Sequence, residues 1–224
     1  MKYLFQILML GAIVLMTYLC VESIMGPIRF DEQKAIRDKA TIQRLINIRK
    51  AQIEYRNLNG AYTASFDTLI DFVKHGKLPF VVKVGSLTDV QLEAGLTEQK
   101  AMEIIKRGKA DEIAKNGLEN FRRDTIFVNV VDTIFGMRIN PDSLRYIPFS
   151  NGTAQFEMAT GEILNASGYV MKLFEAKTPY SVYLNGLDHQ EIVNLTDKAV
   201  KTDKYPGLQV GSILEPNNNA GNWE

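Results

Sequence analysis

The longest apolar run, Tyr3 to Val21, reads YLFQILMLGAIVLMTYLCV and carries no charge, with Gln6 its one strongly polar side chain. At about 1.5 Å of rise per residue, a helix of this length just matches a hydrocarbon core of roughly 30 Å. The pattern predicts a membrane-spanning helix. An uncleaved anchor is expected rather than a signal peptide, because the run exceeds the usual apolar segment of about 7–15 residues and no small-x-small pattern follows before Glu22. Thr17-Tyr18-Leu19, ahead of Cys20, are too bulky for a lipid-attachment signal. Gly26-Pro27 is expected to break or kink the helix at the membrane surface, since proline lacks an amide donor and disfavours helix at the residue before it. The chain then divides into an anchor over 1–26, a juxtamembrane helix over 27–60, a soluble body over 61–214 and an Asn-rich tail over 215–224.

The second helical pattern opens at Asp31 and stops at Asn59-Gly60. Its apolar positions make two stripes. Ala35, Ile42, Ile46 and Ile53 recur at spacings of seven and four, while Ala40, Ile48, Ala51, Tyr55 and Leu58 fall on nearly the opposite face. Two arrangements satisfy such a helix: one face on its own body and the other on a partner helix, or both faces inside one core. Arg44, Arg49, Lys50, Glu54 and Arg56 lie between or beside the stripes and are expected on a solvated flank.

Farther on, a short helix is predicted over 64–77, capped by Ser65 and ended by Gly76, with Phe66, Leu69, Ile70 and Val73 on one face. A strand follows over 80–84, then a polar helical insert with helices over 97–105 and 110–116. From Asp124 the pattern turns to sheet, with strands over 125–135, 144–149, 153–158, 169–176 and 181–184. Turn dipeptides such as Thr160-Gly161 and Asn185-Gly186 separate them. Asp188 to Lys204 reads as a helix with Ile192, Leu195 and Val200 inward, and 208–213 as a returning strand. The fold class expected is α+β, with an antiparallel sheet packed on helices.

Charge and chemistry narrow the function by exclusion. Lys+Arg and Asp+Glu both total 26, which gives no field to attract nucleic acid. The single cysteine, Cys20, lies inside the apolar run, so no intramolecular disulfide and no Cys-based metal site is available. His75 and His189 each fall at a predicted helix end without a zinc-type partner, and no phosphate-binding, dinucleotide or nucleophile motif occurs. No catalytic residue, metal, cofactor or small-molecule substrate is identified, and the chain is expected not to be an enzyme. Trp223, the only tryptophan, leaves two readings of the tail: a frayed end, or a docking peptide with Trp223 as its anchor.

The string Arg37-Asp38-Lys39-Ala40-Thr41-Ile42-Gln43-Arg44-Leu45, followed by Ala51, Tyr55, Asn59-Gly60 and Tyr62, resembles the helix exit of type IV pilins and type II secretion pseudopilins. That resemblance implies a membrane helix continued into an envelope-facing helix that carries a small sheet domain. It covers about a quarter of the chain, by comparison with domains of about 100–200 residues. The family's processing signal, a Gly-Phe-type site with a glutamate early in the apolar run, is missing, since Glu22 stands at the opposite end. Four tripeptides, Asp67-Thr68-Leu69, Asp124-Thr125-Ile126, Asp132-Thr133-Ile134 and Asp142-Ser143-Leu144, resemble acceptor sites for O-glycans on envelope proteins of some Gram-negative bacteria. They make Thr68, Thr125, Thr133 and Ser143 candidate acceptors.

Together these readings lead to an expectation. The chain is a single-pass protein of the bacterial inner membrane with its C-terminal body in the periplasm, although Arg29, Lys34, Arg37 and Lys39 favour the opposite topology by the positive-inside rule. It serves as a structural or assembly subunit with a pilin- or pseudopilin-like layout, partnering the membrane and forming a homo-oligomer or hetero-assembly through Ala35, Ile42, Ile46 and Ile53. The alternative is a solitary membrane-anchored periplasmic binding or adaptor module without catalysis.

Overall fold

The computed structural model describes residues 2–136, 139–165 and 167–224. The fold is α+β and opens with one helix, α1, spanning Lys2–Asn59. Its 58 residues make it roughly 90 Å long at about 1.5 Å per residue. The helix is long and apolar enough to cross a membrane. Its most apolar 18-residue window has a mean hydropathy of 2.3 and buries nothing against the rest of the chain. The break expected at Gly26-Pro27 is absent, and the helix expected to start at Asp31 has no separate start. Proline removes only one bond from the ladder, the one Ser23 would have received, and intact turns on either side carry the helix through.

The remaining elements form two compact units, one comprising the chain up to Val73 and from Ile139 on, the other the segment between. The single body expected over 61–214 is therefore two. In the first unit α1 is followed by α2 (Phe66–His75), where Ser65 Oγ accepts from the Thr68 amide at 3.3 Å and Leu69, Ile70 and Val73 are buried, as the pattern predicts.

The second unit begins with strand β1 (Lys77–Val84), passes through helices α3 (Asp89–Glu93), α4 (Glu98–Arg107) and α5 (Ala110–Lys115), and returns as β2 (Arg122–Asn129) into α6 (Val130–Phe135). The strands form an antiparallel ribbon with Phe80 opposite Ile126. Two strands alone are marginal in water, and this ribbon is completed by a small core of Ala101, Ile104, Leu118 and Phe121 beneath the helices. Helix α3, which the pattern did not reveal, is held by a reciprocal cap between Thr88 and Gln91. The strand expected over 125–135 ends at Asn129. Val131 interrupts its alternation, and the chain turns into α6, closed by Gly136 in the left-handed conformation.

Back in the first unit, a 3-10 turn (Pro141–Arg145) replaces the strand expected over 144–149. A three-stranded antiparallel sheet then forms from β3 (Glu157–Leu164), β4 (Val170–Pro179) and β5 (Gly207–Gly211), in that order, with α7 (Tyr180–Tyr183) and α8 (His189–Lys201) between β4 and β5. The strand expected over 181–184 is the single turn α7. Thr160-Gly161, read as a turn, lies inside β3, where Gly161 faces Leu173 and a Cβ would come within 3.2 Å of Ile213. In α8 the inward residues are Ile192 and Ala199, whereas Val200 is exposed. Central strand β4 buries Phe174, Ala176 and Thr178 completely. Its buried Glu175 is held by Lys177 Nζ at 2.7 Å and by Gln209 Nε2 at 3.0 Å.

The tail does not fray. Gly221 bridges Val210, Ala220 O accepts from the Gly211 amide at 3.0 Å, and the Asn222 side chain both donates to Gly207 O at 2.9 Å and accepts from the Gln209 amide at 3.1 Å. Trp223 is half-buried, its ring lying over Gly221 of its own chain.

Candidate functional site

The part of α1 beyond the apolar run meets the body through one face. Thr41, Leu45, Ile48, Ala51 and Gln52 are fully buried there. Ile48 and Ala51 belong to the second stripe of the sequence pattern; Leu58 of that stripe is exposed. Polar residues obscured this face in the sequence. Gln52 is the clearest case: its amide nitrogen donates to Thr63 O at 2.6 Å and its oxygen accepts from the Thr63 amide at 3.2 Å, clasping the turn that follows the helix.

The other stripe lies roughly 130° around the axis at about 3.6 residues per turn. Ala35 and Ile53 are exposed and Ile42 and Ile46 are half-buried, so no complete cover lies on that side. Ile36 beside them is 54 % exposed. Both faces are thus not enclosed in one core.

Three arginines fasten the helix to the body, two of them, Arg44 and Arg49, expected instead on a solvated flank. Arg37 donates to the carbonyls of Tyr183 at 3.1 Å and Asn185 at 2.7 Å. Arg44 reaches the carbonyl of Tyr146 at 3.4 Å, and burial lowers its pKa. Arg49 bonds the carbonyl of Asn219 at 3.2 Å and the carboxylate of Glu224 at 2.7 Å, which tethers the C-terminus to α1. That guanidinium holds the exposed Glu224 carboxyl below the usual carboxylate range.

Next to Arg37, Asp38 accepts from Tyr183 Oη at 2.7 Å and pairs with Lys34 at 2.5 Å. Burial, and then the bond to Asp38, raise the Tyr183 pKa far above the ordinary phenol value. Replacing Tyr183 by phenylalanine is expected to cost about 1.5 kcal/mol, the weight of a bond to a charged acceptor, because Asp38 keeps Lys34. A shift in the denaturation midpoint of the full chain checks it; an unchanged midpoint would mean water replaces the hydroxyl without loss.

At the helix exit, Asn59 Nδ2 donates to Tyr55 O at 3.0 Å, and the Gly60 amide donates to Arg56 O at 2.7 Å. Tyr62 then enters the core, its ring 4.9 Å from that of Phe174. Asn59, Gly60 and Tyr62 of the pilin-like string therefore stop the helix and pack the turn before α2 against the sheet.

The acceptor triplets are not brought together. Thr68 on α2 and Ser143 in the 3-10 turn belong to the first unit; Thr125 on β2 and Thr133 on α6 belong to the second. Thr68, Thr125 and Thr133 are exposed, Thr133 Oγ1 also donating to Asn129 O at 2.9 Å, whereas half-buried Ser143 Oγ donates to Asn140 O at 2.6 Å. His75 and His189 are exposed at helix ends, and among the described residues no cluster suited to a metal ion occurs. Comparison with protein-family models, curated proteins and solved structures finds no match.

Proposed function

We propose that this protein is a membrane-anchored structural or assembly subunit of the bacterial envelope, laid out like a pilin or pseudopilin, with its body in the periplasm. It acts by packing, not by chemistry. The observation that carries this reading is the continuity of α1: an apolar segment that buries nothing runs without a break into a helix fastened to its body on one face and left partly uncovered along Ala35, Ile42, Ile46 and Ile53. A rigid rod of this kind can transmit position from the membrane to the body, and a second copy or a related subunit would cover the free stripe. Exposed Thr68 and Thr125 in acceptor-like triplets support the periplasmic side, and Glu22 pairs with Arg29 at 3.5 Å, offsetting one of the bases that favour the opposite topology. The solitary binding module has less support at the tail, which is committed to its own sheet.

The test is oxidation of native membranes to join Cys20 residues of adjacent spans. A ladder of Cys20-linked species is expected, and Ile42→Asp with Ile46→Asp should reduce its yield about tenfold, equivalent to about 1.4 kcal/mol of lost association. Because those residues are half-buried, Ile53→Asp at an exposed position provides the same test without disturbing the body. A discrete monomer lacking crosslinks, or a ladder untouched by both variants, would remove the assembly reading.

A further inference from the structure

The second unit contains a cleft of about 470 Å³ between α4 and the start of β2. Met102, Ile105 and Phe121 form its apolar wall; Gln99, Glu103, Lys106 and Arg123 supply the polar groups. That volume and that mixture, mostly apolar with a few convergent polar atoms, are those of small-molecule sites.

Arg123 gives the cleft its chemistry. Its side chain is only 4 % exposed, and its guanidinium carbon lies 3.8 Å from the centre of the Phe121 ring. Nη1 donates to the carbonyls of Val84 and Gly85, each at 3.0 Å, and of Arg122 at 2.9 Å, which locks the group in place. Nη2 donates to Glu98 at 3.2 Å. The Nε–H is buried without an acceptor among the described residues. A buried donor of this kind carries a desolvation penalty that a ligand oxygen would relieve.

Charge points the same way. Glu98, outside the lining, is shared between Arg123 and Lys83, the latter at 3.6 Å, while Glu103 and Lys106 both line the cleft. Among the charged residues that line the cleft, two bases, Lys106 and Arg123, thus stand with one acid, Glu103.

We propose that this cleft binds a small amphiphile, an apolar body bearing one carboxylate, with the body against Met102, Ile105 and Phe121 and the carboxylate toward Arg123 and Lys106. A carboxylate suits the site better than an alcohol because it accepts from both a guanidinium and an ammonium and balances the extra charge. Nothing in this inference depends on the assembly reading, since every residue in it lies in the second unit.

The test uses the full chain in lipid nanodiscs with isotope-labelled methionine methyls, the Met102 signal being assigned by its loss in Met102→Leu. Titration with 4-phenylbutyrate is expected to shift that signal saturably, with a Kd of about 1 mM, as befits a ligand of this size. Lys106→Glu, at an exposed position, should weaken binding about fivefold through the reversed rim charge. Ile105→Trp should abolish the shift by filling the cleft, and 4-phenylbutanol should bind more weakly than the acid. The proposal is overturned by the absence of a saturable shift, by an equal response to the alcohol, or by binding that persists in Ile105→Trp. Arg123→Lys is a poorer probe, because the three carbonyl bonds it would lose hold the strands themselves.

Discussion

Replacing Phe174 with alanine is expected to destabilise the first unit by about 4 kcal/mol, the middle of the range for truncating a buried aromatic side chain. Phe174 is 0 % exposed in the middle of the central strand, and Tyr62, its ring partner at 4.9 Å, is itself buried. Deletion of the ring leaves a void bounded by backbone already committed to ladder hydrogen bonds, so little relaxation is available to close it. It also removes an aromatic pair worth roughly 1 kcal/mol. Since domains are stable by only about 5–15 kcal/mol, the variant should be partly unfolded at physiological temperature. Denaturant unfolding of the full chain in nanodiscs, followed by near-ultraviolet circular dichroism, measures this directly. A loss under about 1 kcal/mol would mean that the ring does not fill the core.

Gly211→Ala is expected to cost about 3 kcal/mol by two independent mechanisms. Gly211 has a φ of +71°, which an L side chain enters at roughly 1–2 kcal/mol. A Cβ there would also fall inside contact distance of the Phe174 carbonyl oxygen, which cannot step aside because Gly211 pairs with Glu175 in the ladder. Forced contacts of that kind add about 1–3 kcal/mol. Gly168 separates the two effects. It has a φ of +80° but nothing among the described residues within 4 Å of a Cβ, so Gly168→Ala should show only the backbone strain. If both alanine variants lose the same stability, the close approach at Gly211 contributes nothing.

The two predictions converge on the place where the tail, β5 and β4 meet, and this region was the least legible in the sequence. Asn217 to Asn222 look like a polar end. The Asn222 side chain instead caps the Gly207 carbonyl and the Gln209 amide of β5, Asn217 bonds within the tail, and Asn219 bonds the Tyr62 hydroxyl. Trp223, the sharpest single residue in the tail, covers Gly221 of its own chain.

By itself the sequence determined whatever depends on near neighbours. Continuous apolarity from Tyr3 to Val21 specifies a helix with no counterpart in the body, Ser65 and Asp188 start their helices through caps three residues away, and the apolar-rich run that Thr178-Pro179 closes marks strand β4. Stop signals at Asn59-Gly60 act equally locally. Only the tertiary structure decided the rest. Val130 to Phe135 and Tyr180 to Tyr183 are short apolar or aromatic runs that suit a strand or a helical turn, and periodicity cannot choose between them. Gly161 is a turn residue by composition but a strand residue because Ile213 needs its space. Thr41, Asn47 and Gln52 are polar yet buried, and Arg37, Arg44 and Arg49 are charged yet fasten α1 to the body. For the three arginines the physical reason is the distance to their partners, the carbonyls of Tyr183, Tyr146 and Asn219. A hydrophobic pattern reports which way a side chain tends to face, whereas the partners that make these polar groups tolerable are often carbonyls more than a hundred residues away, and no window of sequence contains them.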